Sequence, residues 1–359
     1  MVQLFKTLFA LSVIACFVTK CEWQQSYASE APGTGGLDVY LKQLDYEEAS
    51  FQHNQRNEPL IEARINSHGY TLLADTGCAM TILAPRAARD LKTLGKLGVT
   101  LEDSVLGQIT NSSVAIIDKL VIGRGQFLNQ PALVKPLDVD YVSLRFSGIL
   151  GLDFFFRNFC LIDCYHEKLF LRATRASDKQ SAAMEESLRR SGFTEASLRA
   201  HRLLSVTASV KERPVRLLVD TGDSFSVLDQ SLATPLNLSS IKWDEPIDGS
   251  LIRQDVSGNL IGFGRIGTHR VWVTILSSFH IGSREWTNIP YGVTDLSDWG
   301  FSKLSGEEAQ LQGIFGNDWL RRSGAIIDFS NLKLWFRPEK GAAIQKAPRI
   351  NAGEHRFYE

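Results

Sequence analysis

The sequence predicts an all-β protein of two similar, duplicated lobes joined by a short helical linker. Three observations carry this. First, YTLLADTGCAMTIL from Tyr70 to Leu83 matches VRLLVDTGDSFSVL from Val215 to Leu228 at an offset of 145 residues. Second, DFFFRNFCLIDCYHEKLFLR from Asp153 to Arg172 matches DWLRRSGAIIDFSNLKLWFR from Asp318 to Arg337, without a gap, at an offset of 165. Third, alternating apolar runs such as Lys119 to Ile122, Leu161 to Leu171, Arg270 to Leu276 and Ala325 to Phe336 are separated by Gly, Asn, Asp and Ser turns, the pattern of short strands.

The elements follow in order. Met1 to Lys6 ends in a lysine, and Thr7 to Val18 is apolar apart from Thr7, Ser12 and Cys16, so residues 1–28 read as an export leader whose apolar core is too short to span a membrane. Val13 to Cys16 is similar to the lipobox of bacterial lipoproteins, which leaves a lipid anchor at Cys16 and ordinary cleavage after Ala28 both open. Either route predicts an exported protein, periplasmic, secreted or membrane-anchored. Residues 29–36, SEAPGTGG, form a flexible lead-in. The first lobe is expected over 37–175 and the second over 203–340, with a frayed tail at 341–359. Between the lobes, 176–202 is polar, with Met184, Leu188 and Leu198 spaced along it and Gly192 interrupting it, which predicts two short helices. The offset of the second match exceeds that of the first by 20 residues, so the second half carries an enlarged loop region within a duplicated plan.

At 359 residues and 44% hydrophobic, the chain is long enough for two buried cores. Its 39 basic and 40 acidic residues nearly cancel, which removes the charge field expected of a nucleic-acid binder. Five cysteines, Cys16, Cys21, Cys78, Cys160 and Cys164, show no framework spacing. On one strand, Cys160 and Cys164 would stand about 13 Å apart, beyond disulfide reach. The histidines are scattered without ligand spacing, so no metal is expected and no cofactor either. Gly262 to Gly267 fits GxGxxG formally but leads into a strand-like run, and Gly222 to Ser226 lacks the last glycine of a nucleophile elbow. The Asn111 and Asn237 sequons would matter only in a eukaryotic secretory route.

The repeated segments point to hydrolysis. Amide cleavage without metal or covalent intermediate needs a base to activate water and an acid to protonate the carbonyl. Two close carboxyls sharing one proton supply both, because like charges a few ångströms apart resist joint ionisation. An isolated Asp before Gly is usually a turn residue. Two aligned copies, each followed by Ile149-Leu150-Gly151 or Ile314-Phe315-Gly316, favour a catalytic pair, Asp75 and Asp220. Asp153 and Asp318 repeat as well and are expected in turns or salt bridges, and Asp163 and Asp328 in strand-turn-strand units.

With its two DTG loops and downstream apolar-apolar-Gly segments, the chain resembles a single-chain aspartic protease over roughly residues 38 to 340. The interval from Asp75 to Gly151, 76 residues, makes each half more like a retropepsin subunit than a full pepsin lobe. The resemblance implies two β-barrel lobes related by a pseudo-twofold axis around a substrate cleft, with Thr76 and Thr221 hydrogen-bonded across the axis and Gly77 and Gly222 allowing close backbone approach. It implies a peptide or protein substrate and a monomer that is internally a pseudo-dimer. Departures are Cys78 and Asp223 where the family has Ser, Thr or Ala, and the lack of a tyrosine in 95–118 where a covering flap belongs. In the second lobe, glycine-rich 258–267 is the candidate flap, with Phe263 as a substrate contact. The main reading is an endopeptidase. A peptide-binding protein that kept the cleft and lost efficient turnover is the alternative, and a purely structural β protein has no need of Asp-Thr-Gly twice.

Overall fold

The computed structural model describes residues 41, 44–54, 57–96, 101–103, 107–109, 113–137, 146–239, 271–299, 301, 304, 306 and 308–338. The expected leader with Cys16, the candidate flap with Phe263 and the tail lie outside the described residues. No helix among the described residues is long and apolar enough to cross a membrane.

The first lobe opens with β1 (Glu47–His53), β2 (Pro59–Ile65) and β3 (His68–Ala74), and continues through β4 (Ile82–Leu83), β5 (Lys92–Lys96), β6 (Leu101–Asp103) and β7 (Gly107–Ile109). A long hairpin, β8 (Ser113–Ile122) and β9 (Gly125–Val134), precedes β10 (Gly148–Leu150), a helix α1 (Leu152–Arg157), β11 (Leu161–Asp163) and β12 (Lys168–Leu171). Strand β2 shows why these segments are strands: Ile61, Ala63 and Ile65 point into the core while Glu62 and Arg64 point out, a period of two. Gly123 closes the β8–β9 turn at φ +57, where a side chain would also meet the Glu48 carbonyl. In the region where a flap was expected, β6 and β7 form a separate two-stranded sheet.

The linker is one helix, α2 (Asp178–Arg190), followed by a strand, β13 (Thr194–Ala200). The expected second helix is therefore corrected. Ser177 and Gln180 form a capping box at the start of α2, and Met184 and Leu188 bury its inner face. Gly192, at φ +82, ends it. The amides of Gly192 and Phe193 return to the carbonyls of Arg189 and Leu188 at 2.9 and 3.0 Å, a Schellman closure. Beyond it, Ala196 and Leu198 are buried and Ser197 and Arg199 exposed, which is strand alternation.

The second lobe repeats the order with β14 (Leu204–Val210), β15 (Arg213–Asp220), β16 (Val227–Asp229), β17 (Trp272–Leu276), β18 (Phe279–Ile281), β19 (Arg284–Trp286), β20 (Ile289–Thr294), β21 (Leu311–Gly316), a helix α3 (Asn317–Arg322), β22 (Ala325–Asp328) and β23 (Lys333–Phe336). The lobes share a six-stranded sheet ordered β1-β12-β11-β22-β23-β13. At its centre β11 and β22 run antiparallel with Ile162 opposite Ile327, two residues separated by the 165-residue offset, so the pseudo-twofold axis passes through that pair. Stacked Phe155 and Phe329, 5.2 Å apart, pack where the lobes meet. Cys160 and Cys164 flank β11 as buried free thiols.

Candidate active site

The threading of one strand in each lobe positions the candidate aspartates. β10 lies between β3, to which it runs parallel (Leu73 opposite Ile149, Ala74 opposite Leu150), and β4, to which it runs antiparallel. In the second lobe β21 lies in the same way between β15 and β16. The chain leaving β3 or β15 therefore cannot turn directly back into the next strand and crosses over as a loop, DTGC or DTGD, on the axis side. Apolar Leu72, Leu73, Leu217 and Leu218 deliver that loop into a dry setting.

The two loops are locked together. Thr76 Oγ1 donates to the Val219 carbonyl at 2.7 Å and accepts from the Thr221 amide at 3.0 Å, while Thr221 Oγ1 donates to the Ala74 carbonyl at 2.7 Å and accepts from the Thr76 amide at 3.1 Å. Both hydroxyls are buried. Gly77 N donates to Asp75 Oδ1 and Gly222 N to Asp220 Oδ1, each at 2.8 Å, which ties each carboxyl to its own loop. Each carboxyl lies over the opposite glycine: a Cβ on Gly77 would stand 2.2 Å from Asp220 Oδ2, and one on Gly222 would stand 2.4 Å from Asp75 Cγ. Asp75 and Asp220, Thr76 and Thr221, and Gly77 and Gly222 are thus brought together in symmetric pairs.

Behind each loop stands a buttress that the aligned segments contain but whose function they do not announce. Asp153 Oδ1 accepts from Thr81 N and Oγ1 at 2.7 and 2.8 Å, and Thr81 Oγ1 accepts from Gly151 N at 3.3 Å. In the second lobe Ser226 Oγ donates to Asp318 Oδ1 at 2.7 Å and accepts from Gly316 N at 2.8 Å. These aspartates tie helix to loop, in place of the turn or salt-bridge roles expected. The signal was the spacing, since Thr81 and Ser226 share the 145-residue offset of the catalytic candidates. Gly151 and Gly316 let the helices approach: an added Cβ would fall 2.4 Å from the Met80 carbonyl carbon or 2.6 Å from the Phe225 oxygen. Burial pushes the carboxyl of Asp318 up to about 6, against the lowering effect of Ser226.

The two departures both face inward. Cys78 is buried and its Sγ donates to the Met80 carbonyl at 3.1 Å. Asp223, 5% exposed, gives its amide to Asp220 Oδ1 at 3.1 Å. Burial first, and then Asp220, push its carboxyl well above the usual range. Its carbonyl accepts from Asn317 N at 2.9 Å, binding the loop to α3. Glu58, buried at the entrance of β2 in the first lobe, adds a further negative neighbour that sequence order could not reveal. Asp163 and Asp328 instead cap the β11–β12 and β22–β23 turns, accepting backbone amides at 2.9 to 3.2 Å.

A family model described as Aspartyl protease matches residues 61–154 and 206–319, one segment for each DTG loop with its buttress. The chain belongs to the aspartyl protease family. No curated protein matches this family member by sequence. Among solved structures, the aspartic proteinase from Irpex lacteus is similar at a TM-score of 0.48 and 14% identity, covering 84% of this aspartyl protease family chain and 100% of its own.

Proposed function

We propose that the protein is an aspartic endopeptidase in which Asp75 and Asp220 share one proton and act together on water and substrate. The observation that carries this is the mutual placement of each carboxyl over the other loop's glycine, within the distance at which a methyl group would clash. With each carboxyl set against the loop that carries the other, the second ionisation is opposed by the first charge, so the pair titrates as a unit with two separated steps. In the singly charged form, the ionised member takes a proton from water and the neutral member gives one to the substrate carbonyl. The threonine lock and the glycine amides hold both carboxyls without moving during the step, which is preorganisation of the kind that lowers a barrier. An extended peptide in the cleft between the lobes is the substrate this arrangement suits.

Asp223 favours a second reading. A third carboxyl buried beside Asp220 adds repulsion where the family has a small residue, and a cleft that binds peptide with little turnover would result if that charge were present during the reaction. The test is cleavage of denatured casein by the full chain from acidic to neutral pH, with and without a statine-type inhibitor, and fragments read by mass spectrometry. Wild-type cleavage that Asp75→Asn and Asp220→Asn each abolish supports the dyad. Activity surviving either substitution rules it out, and folded protein that binds the inhibitor without cleaving supports the binding reading.

A further inference from the structure

Two residues of α3 reach across to the first lobe. Asn317 Nδ2 donates to the Asn57 carbonyl at 2.5 Å, and Arg321 Nη1 donates to Asn57 Oδ1 at 2.5 Å while its Nη2 meets Glu167 Oε1 at 2.7 Å. Asn57 stands in the turn between β1 and β2 at φ +60, a left-handed conformation that asparagine accepts. That turn is closed on itself: Asn54 Oδ1 accepts the Glu58 amide at 3.0 Å, and the Asn54 amide donates to the Glu58 carbonyl at 3.1 Å. Glu167 is held in turn by His53, whose Nδ1 lies 2.9 Å from Oε1, and its carbonyl accepts the Phe51 amide at 2.9 Å. The acceptors that receive α3 are therefore themselves fixed in place.

The same helix holds the DTGD loop. The Asn317 amide donates to the Asp223 carbonyl at 2.9 Å, and the Gly316 amide and Asp318 Oδ1 engage Ser226 Oγ at 2.8 and 2.7 Å. α3 and that loop thus form one body, in which the amides of Gly222 and Asp223 hold Asp220 Oδ1 at 2.8 and 3.1 Å. Asn317, 1% exposed, serves both sides: its backbone holds the loop that carries Asp220, and its side chain holds the first lobe. The first lobe has the matching loop bond, from the Leu152 amide to the Cys78 carbonyl at 2.8 Å. At the 165-residue offset, however, Asn317 corresponds to Leu152 and Arg321 to Phe156, side chains with no polar atom, so the hydrogen-bonded clasp has no counterpart from the matching positions of α1.

We propose that Asn57, Asn317 and Arg321 are positioning residues that set the loop of Asp220, and not that of Asp75, against the opposite lobe, so that the alignment of the pair is governed from one side. This rests on the dyad reading. The threonine lock ties the two loops to each other. The clasp ties the body that carries one of them to the other lobe, a second point of attachment that stops the body turning about the lock. Any such turn moves Asp220 relative to Asp75, and a misplacement of about 1 Å costs roughly a hundredfold where reacting groups must be aligned.

Amide hydrogen exchange on the full chain, read by NMR, tests the clasp without turnover. Asn317→Leu gives α3 the side chain that α1 has at the matching position. Asn57→Gly keeps the left-handed turn and the backbone carbonyl but deletes the acceptor of Arg321, and Asn57→Asp keeps that acceptor. In Asn317→Leu and Asn57→Gly the Gly222 and Asp223 amides are expected to exchange about tenfold faster or more, while the Gly77 amide keeps its wild-type rate and Asn57→Asp behaves as wild type. Should Asn317→Leu fail to fold, the two Asn57 variants decide. Equal acceleration at Gly77 and Gly222, unchanged exchange in folded Asn317→Leu, or Asn57→Asp as disturbed as Asn57→Gly overturns the proposal. On denatured casein, Asn317→Leu and Asn57→Gly are expected to lose about tenfold or more in kcat with KM within about twofold of wild type. A raised KM at unchanged kcat overturns the proposal, since the clasp would then serve substrate binding. A wild type that cleaves nothing defeats the dyad reading and leaves the exchange rates to decide the clasp.

Discussion

Thr76 and Thr221 illustrate how much depends on one oxygen. Each Oγ1 is fully consumed, donating to a carbonyl and accepting an amide of the other loop. Thr76→Val keeps the shape and deletes both bonds, stranding the Thr221 amide and the Val219 carbonyl in a buried site. Stranded groups of this kind cost about 1–3 kcal/mol each, so urea unfolding of Thr76→Val should show a loss of roughly 2 to 6 kcal/mol, while Thr76→Ser stays near wild type. An equal loss in both variants would mean that packing of the methyl, and not the lock, is what the position provides. These residues were legible in the sequence because geometry constrains their type: only Gly fits under the opposite carboxyl, and the Asp-Thr-Gly segment occurs twice at one spacing. Asp223 was legible as an anomaly but not as an inward one, since whether a side chain points to solvent depends on the α3 contact, which is set 94 residues away by Asn317. Glu58 carried no signal at all, because its relation to the site exists only across the lobe boundary.

Among the elements, the hairpins were legible from turn residues and alternation, and the linker was misread for a physical reason. Met184, Leu188 and Leu198 are separated by spacings that a helix face tolerates, and Gly192 alone does not say whether helix or strand follows it. The edge of the shared sheet decides: β13 pairs with β23 from Thr194 opposite Phe336 to Ser197 opposite Lys333, so the sheet recruits the segment. A stability prediction belongs here. The β2–β3 turn places Asn66 at φ +54, a conformation that asparagine tolerates, and its Oδ1 accepts from the Lys119 amide. The matching β14–β15 turn puts Lys211 at φ +48 and Glu212 at φ +67, with no glycine or asparagine to ease either. Lys211 is held there by its Nζ, which donates to the carbonyls of Leu236 and Asn237 at 3.0 Å. Glu212 is exposed, so Glu212→Gly should relieve left-handed strain and raise stability by about 1 kcal/mol, more than the added freedom of the unfolded chain takes away. A drop in the urea midpoint would show that the native turn is not strained.

At the scale of the whole molecule, the two-lobed plan has a cost in buried acid that ties stability to pH. Asp328 is fully buried at the β22–β23 turn, and burial, against the help of Asn331, pushes its carboxyl up to about 6 from an ordinary 3.8. Its counterpart Asp163, equally buried, goes the other way: burial would raise it, but His166 and Arg337 together hold it below the usual range. The lobes are alike in backbone and unlike in charge, because the residues three after the aspartates are His166 and Asn331. A raised carboxyl binds its proton in the folded state when the unfolded chain has already lost it. The folded state therefore holds more protons, and stability falls as pH rises from about 4 to about 6. For Asp328 the shift of about two units is worth on the order of 3 kcal/mol. Asp318 and Asp223 act in the same sense. His53, whose ring is lowered by burial, acts in the opposite one, losing stability as pH falls below 6.5, and Asp163 contributes stability that is lost on acidification below its unfolded value. Asp153, raised by its burial, adds a fourth. With four raised carboxyls against one lowered histidine in this window, stability should decline between pH 4 and pH 6, so that the fold is firmest on the acid side. Urea unfolding at pH 4, 5, 6 and 7 measures that slope, and Asp328→Asn isolates one share of it. The variant should match wild type near pH 4 and exceed it by a few kcal/mol at pH 7. A variant that gains nothing at neutral pH would mean that Asp328 is ionised in the folded protein, with the Ser330 and Asn331 amides sufficing to hold the charge.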